Sequence, residues 1–193
     1  SFELNYHDLL KQVAQTGKEI IISTGMASLE EVRKSLEILK NFVPDTKLSI
    51  LHCCSVYPAP IHEVNLRAIK TLKDEFNVNT GFSDHTIGSE AAVLAYSYGA
   101  RIIEKHVTND TKRPGPDHRF SAEEDTLIAI KNGIRKVIRM SGNGVKEITI
   151  SEKVNREKGR RSAFATLNIK KGDILTDDNF RFVRPGVGIP PDQ

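Results

Sequence analysis

The sequence predicts an α/β fold, with four βα units building a parallel sheet and a small β-rich segment after them. Three observations point there. The hydrophobic period switches repeatedly between two and 3.6 residues. Strand-like runs recur about every 25 to 30 residues, the repeat of a βα unit. The alternation stops near Met140, where Ser141-Gly-Asn-Gly144 signals a turn. The chain has 193 residues, 38% hydrophobic and 27% charged, so it can bury a real core and is neither disordered nor fibrous.

The elements follow in order. Leu9, Leu10 and Val13 mark a short helix that Gly17 ends. The β-branched run at 19–23 predicts a buried strand. Ser28 and Glu31 make a capping box, each able to satisfy the other's orphan amide, and open a helix through Val32, Leu36 and Leu39. Residues 47–53 predict the second strand and 66–76 the next helix. Residues 78–82 predict a third strand, then a helix at 90–98 stopped by Gly99. Residues 101–107 predict the fourth strand. Ser121 and Glu124 predict a second capping box before a long helix through Leu127, Ile128, Ile134 and Val137. Residues 152–161 are charged without a clear period and read as a linker. Two β-like pieces, 163–169 and 180–184, close the chain.

Charge and cysteine content exclude several classes. With 28 basic and 25 acidic residues the net charge is +3, too small to argue for nucleic acid. Lys153, Arg156, Lys158, Arg160 and Arg161 are broken by Glu152 and Glu157 and lack aromatic interleaving, as on a solvated surface. The longest apolar runs, 20–22 and 91–95, are far too short to cross a bilayer, and no signal-peptide pattern is expected. Cys53 and Cys54 are adjacent and cannot staple distant segments, which predicts a reducing, cytoplasmic compartment.

Each predicted strand ends in polar residues, where parallel α/β folds collect their chemistry. The ends are Ser23-Thr24-Gly25, His52-Cys53-Cys54-Ser55, Ser83-Asp84-His85-Thr86 and Glu104-Lys105-His106. One histidine at a strand end is most often a hydrogen-bonded loop residue. Several strands aiming polar groups at one rim make His85 and His106 candidates for a shared divalent metal. Glu104 and His106 share a strand face, so Glu104 could orient that imidazole or the metal's water, while Lys105 faces the helices. The Ser23-Thr24-Gly25 turn leads into a helix, where hydroxyls and amides can either hold an anion or merely cap. Cys53 has no base assigned by sequence and reads as a small buried residue. Residues 112–118 read either as a solvated connector or as a lid carrying Asp117.

These residues carry a resemblance. Ser23-Thr-Gly-Met26, Leu51-His-Cys53, Tyr57-Pro58, Val64-Asn-Leu66, Gly81-Phe-Ser-Asp-His-Thr86, Glu104-Lys-His106 and Gly115-Pro-Asp-His118 follow one another as in sialic acid synthases. Ile169-Lys-Lys-Gly172 and Arg184-Pro-Gly186 resemble the start of that family's antifreeze-like (SAF) domain. The resemblance covers essentially the whole chain. It implies part of a (β/α)8 TIM barrel at 1–145, a linker at 146–161 and the start of the antifreeze-like domain at 162–193.

The implied reaction condenses phosphoenolpyruvate with open-chain N-acetylmannosamine, or a related N-acetylated hexose, releasing phosphate and giving a nine-carbon sialic acid. The resemblance places metal ligands at His85 and His106, with Mn²⁺, Mg²⁺ or Co²⁺ equally suited. Phosphoenolpyruvate contacts fall on Ser1, Ser23, Ser55 and Ser83. Sugar contacts fall on Tyr57, Asp117 and Arg184, the last reaching the partner's site in a domain-swapped homodimer. Ser1 and Glu3 match the end of a Lys-x-x-Ser-x-Glu strand motif, which puts Glu3, with Glu104, among the catalytic groups. The family's lysines and further βα units would precede Ser1, so the 193 residues alone are expected to be inactive. Legionaminic or pseudaminic acid synthesis, in a spore-coat or other surface-polysaccharide role, is the alternative within the family. A non-catalytic carbohydrate-binding barrel is the alternative outside it.

Overall fold

Strands β1 (Ile20–Ser23), β2 (Leu48–Cys53), β3 (Asn79–Asp84) and β4 (Ile102–Lys105) pair in parallel, in the order of the sequence. Helices α1 (His7–Gln15), α2 (Leu29–Lys40), α3 (Ala68–Phe76), α4 (Glu90–Ser97) and α5 (Glu124–Ser141) surround this sheet in the sequence. The computed structural model describes all residues 1–193 and divides them into two units, Ser1–Gly142 and Asn143–Gln193. Four sequential βα units of this kind are a segment of a (β/α)8 barrel. No helix is long and apolar enough to cross a membrane.

Strand alternation sorts the residues into two faces. Cross-strand partners Ile22 and Ile50, Ile50 and Thr80, and Phe82 and Ile103 lie on one face. Ile20, Leu48 and Ile50 there pack with Leu36, Leu39 and Phe76 of α2 and α3. Phe82 packs with Ile69 of α3 and Ala95 of α4 in a second cluster. The opposite face carries Ser23, Cys53, Ser83 and Glu104. Helices therefore anchor one side of the sheet, and the polar strand ends are left on the other.

The predicted capping box at Ser28 and Glu31 forms. The Ser28 amide and hydroxyl both donate to the Glu31 carboxylate, at 2.7 and 2.8 Å, and the Glu31 amide donates back at 3.3 Å. Those donors hold the Glu31 carboxyl below its ordinary range. The box expected at Ser121 and Glu124 does not form. α5 starts one step after Glu123, and the Ser121 hydroxyl donates instead to the Asp117 carbonyl at 2.7 Å. Glu123 in turn accepts from the Thr111 amide at 2.6 Å, which ties the preceding loop to the helix start.

Other boundaries also moved. β3 extends to Asp84, because Ser83 and Asp84 still pair with Glu104 and Lys105. Ile21, expected inside a buried strand, is 55% exposed because on this edge strand it points to the face that the helices do not cover. Leu127 and Ile128 are likewise exposed, and Ile130 is the one buried residue of α5.

The second unit holds α6 (Ile150–Gly159) and an antiparallel pair, β5 (Ser162–Ala165) with β6 (Phe180–Val183). The segment read as a linker is thus largely helical. Its own capping box, Thr149 with Glu152, starts it, a signal the charge run concealed.

One glycine of α5 marks close helix packing. A Cβ on Gly133 would stand 2.5 Å from Val93 Cγ2 of α4. Val93 is stiff at χ1 and cannot swing aside cheaply. Gly133→Ala is therefore expected to destabilise by about 1 kcal/mol, the overpacking cost exceeding the gain in helix propensity. Urea unfolding measures it. A stabilised variant would show that the contact yields.

Candidate functional site

Ser1, Ser23, Cys53 and Ser55 converge on Gly25. The Ser1 hydroxyl donates to Ser23 Oγ at 3.0 Å and to Cys53 Sγ at 3.8 Å, and Cys53 Sγ lies 3.6 Å from Ser55 Oγ. Thr24 fixes the turn, because its amide and its hydroxyl both donate to the Leu51 carbonyl at 2.9 Å. A Cβ on Gly25 would stand 2.0 Å from Ser55 Oγ, 2.8 Å from Ser1 Oγ and 3.1 Å from Cys53 Sγ. The hydroxyls and the thiol pack so closely on Gly25 that no side chain fits there. The result is a small cradle of hydroxyl donors at the β1 and β2 ends, chemically suited to an anion.

Cys53 is not the isolated thiol that the sequence suggested. It is buried, and His85 Nδ1 lies 3.8 Å from its sulfur. Burial alone would push the thiol up, but contacts with His85, Ser23, Ser55 and Ser1 outweigh it and bring it to about 6. Burial alone would push the His85 imidazole down, but its bonds to Cys53 and to the Cys54 carbonyl prevail and raise it.

Beside the cradle stands a cluster of four rings. Tyr57 lies 4.2 Å from His85 and 5.9 Å from His106, centroid to centroid. The two histidine rings are 5.3 Å apart at 68°. Phe120 closes the cluster, 5.1 Å from His106 and 5.8 Å from Tyr57. Burial, with the charges of Cys53 and Asp117, pushes the Tyr57 phenol up, so it stays a hydrogen-bond donor. Asp117 Oδ2 lies 3.7 Å from His106 Nδ1.

Ser83 and Glu104 are register partners on β3 and β4, and the Ser83 hydroxyl donates to Glu104 Oε1 at 2.6 Å. Glu104 is thus held by Ser83 rather than by His106. Lys105 faces the other side, as its position in the strand requires, and is buried against Asp84 at 2.8 Å. Asp84 also accepts from the Thr86 amide and hydroxyl, both at 2.8 Å, and Lys105 donates to the Thr86 carbonyl at 2.6 Å. This network fixes the chain on both sides of His85.

The donor chemistry fits a divalent metal held by two imidazoles. The Cys54 carbonyl only accepts, so His85 Nδ1, 2.9 Å away, carries the proton and leaves the Nε2 lone pair free for a ligand. No third His, Cys, Asp or Glu completes a cluster with the two. Such a pair leaves the remaining coordination positions to water or substrate.

Of the residues singled out by sequence, the structure brings Ser1, Ser23 and Ser55 into one cradle, and Tyr57, His85, His106 and Asp117 into one neighbouring cluster. Two stand apart. Residues 1–5 form turns rather than a strand, and Glu3 is exposed with no side-chain hydrogen bond. Arg184 belongs to the second unit and is exposed, without an ion-pair partner. Sequence reading missed Phe120, Arg119 and the steric role of Gly25. The segment at 108–120 gave a signal in Thr108 and His118, whose side chains bond at 2.7 Å, but only the fold shows that they meet.

Residues 1–146 match the NeuB family. The chain belongs to that family. Residues 160–193 match the SAF domain, the antifreeze-like module. Within curated relatives, this NeuB chain is 41% identical to N,N'-diacetyllegionaminic acid synthase of Campylobacter jejuni, covering 98% of the chain and 57% of that protein. It is 38% identical to pseudaminic acid synthase of the same species, covering 99% and 55%. In structure it is similar to sialic acid synthetase of Leptospira borgpetersenii, crystallised with citrate, at a TM-score of 0.72 and 34% identity. That match covers 80% of this chain and 53% of the other. The NeuB chain thus spans just over half the length of the curated relatives it matches.

Proposed function

We propose that the intact polypeptide condenses phosphoenolpyruvate with an N-acetylated hexose of the N-acetylmannosamine type and water, giving a nine-carbon sialic acid and phosphate. The observation that carries this reading is the pairing of an anion cradle with an imidazole pair and an aromatic wall on one rim. Ser1, Ser23 and Ser55 offer hydroxyl protons to phosphoenolpyruvate, and the absence of a side chain at Gly25 lets the three hydroxyls gather there. Ser83 acts through Glu104, which it holds by a 2.6 Å hydrogen bond, and Glu104 is then the acid–base group on this strand face. Tyr57 and Asp117 supply a donor and an acceptor for the sugar's hydroxyl and acetamido groups. A divalent metal on His85 and His106 would supply Lewis-acid polarisation of the sugar's aldehyde. His85, through its Cys54 bond, presents the correct tautomer for that role.

Glu3 and Arg184 complete the reading, Glu3 beside the reacting sugar and Arg184 from the partner subunit of a homodimer. The exposed, unpaired guanidinium of Arg184 is free for such a contact. The unit boundaries that accompany it are a barrel portion at 1–145, a connector at 146–161 and the start of the antifreeze-like domain at 162–193. A cytoplasmic setting agrees with the reduced pair Cys53 and Cys54.

The two Campylobacter relatives favour a second acceptor, a 2,4-diacetamido-6-deoxyhexose leading to a legionaminic or pseudaminic acid. The deciding experiment supplies the intact polypeptide with phosphoenolpyruvate, each of Mn²⁺, Mg²⁺ and Co²⁺, and three sugars in turn: N-acetylmannosamine and the two diacetamido hexoses that lead to legionaminic and to pseudaminic acid. Phosphate release and a nine-carbon product are expected with one of them. Absence of phosphate release with all three sugars would overturn the synthase reading in favour of a carbohydrate-binding barrel.

A further inference from the structure

The main chain of Tyr57 makes one hydrogen bond, and it comes from Arg119, whose Nη2 donates to the Tyr57 carbonyl at 3.1 Å. Arg119 belongs to a short 3₁₀ helix, His118–Phe120, in the chain that follows β4, whereas Tyr57 follows β2. The bond therefore joins two separate rim loops. The next residue, Phe120, is only 2% exposed and its ring meets both Tyr57 and His106.

This short helix is itself anchored. The Ala122 amide donates to the His106 carbonyl at 2.7 Å, and the Thr108 amide to the Ala122 carbonyl at 3.0 Å. The main chain after Phe120 is thus stitched to both sides of Val107 as a parallel bridge. Within the loop, His118 is held by Thr108 and Ser121 by Asp117. The end of that segment, residues 117–120, is a strut between the end of β4 and the Tyr57 loop.

We propose that Arg119 and Phe120 are positioning residues for the sugar half of the site, holding Tyr57 at a set distance from His106. The inference rests on the function proposed above, because it takes Tyr57 as a sugar contact. Arg119 acts through the Tyr57 carbonyl, and Phe120 acts as the wall against which both rings lean. Neither touches the cradle at Ser1, Ser23 and Ser55, so phosphoenolpyruvate binding is left out of their effect.

The test uses the intact polypeptide with its active sugar. Arg119→Ala is expected to raise KM for the sugar about tenfold, the loss of one hydrogen bond from a charged donor. KM for phosphoenolpyruvate is expected to change by less than about twofold, and the urea midpoint is expected to hold. Arg119→Lys retains a cation that can reach the carbonyl and is expected to recover most of the sugar KM. Phe120→Leu keeps apolar volume but removes the ring, and should raise the sugar KM alone. Equal shifts in both KM values, an unchanged sugar KM, or no recovery with lysine would overturn the inference while leaving the synthase reading intact. A wild type that turns over no N-acetylated hexose would overturn both.

Discussion

Lys105→Ala is expected to destabilise the Ser1–Gly142 unit by about 3 to 5 kcal/mol, because it strands a buried carboxylate. The side chain of Lys105 is 3% exposed and that of Asp84 is fully buried, and the two meet at 2.8 Å across register-paired positions of β3 and β4. Every polar atom of the pair is satisfied by the other partner or by Thr86. Removing the ammonium leaves one carboxylate oxygen without its donor in a place water does not reach. The ion pair itself need not be strongly stabilising, since desolvation of two charges offsets much of their attraction. That distinction gives the check. Asp84→Asn combined with Lys105→Met should cost clearly less than the sum of the two single changes, when all three are measured by urea unfolding. A single-variant loss below about 1 kcal/mol, or strict additivity, would show that the pair is solvated.

The same pair shows what the sequence could and could not say. Alternation places Glu104 and Lys105 on opposite faces, and that much was legible from position alone. The lysine looked like a group directed at the helices, but its actual partner lies 21 residues earlier, on the neighbouring strand. Register between parallel strands is not written locally, so Asp84–Lys105 and Ser83–Glu104 became visible only with the fold. Repeating periods and capping residues act over a few positions, which is why four strands and the Ser28 cap could be read. Ser121 and Glu124 satisfied the same local pattern and failed, because α5 starts at Glu124 with Glu123 as its cap, which leaves Ser121 two residues outside the capping position. Side chains at the strand ends were recognisable as a set by their residue types. Phe120 belongs to no recognisable pattern, and nothing in its neighbours announced that its ring would meet His106.

Gly25→Ala is expected to lower kcat/KM for phosphoenolpyruvate about thirtyfold in the intact polypeptide, while KM for the sugar changes little. The estimate corresponds to about 2 kcal/mol, within the range for forcing one methyl group into a filled space. The glycine's backbone does not need a left-handed conformation, so alanine costs the turn itself little. The damage is local to the cradle. A Cβ standing 2.0 Å from Ser55 Oγ must drive that hydroxyl out of its position, and it also crowds Ser1 and Cys53. Ser55→Ala alone should be milder, because it removes one donor and leaves the space. Once the alanine methyl has displaced the Ser55 hydroxyl, deleting that hydroxyl has little left to remove. The double variant should therefore be no worse than Gly25→Ala, a strongly non-additive cycle. If the two changes instead add, or if Gly25→Ala raises KM for the sugar as much as for phosphoenolpyruvate, the cradle is not the phosphoenolpyruvate site.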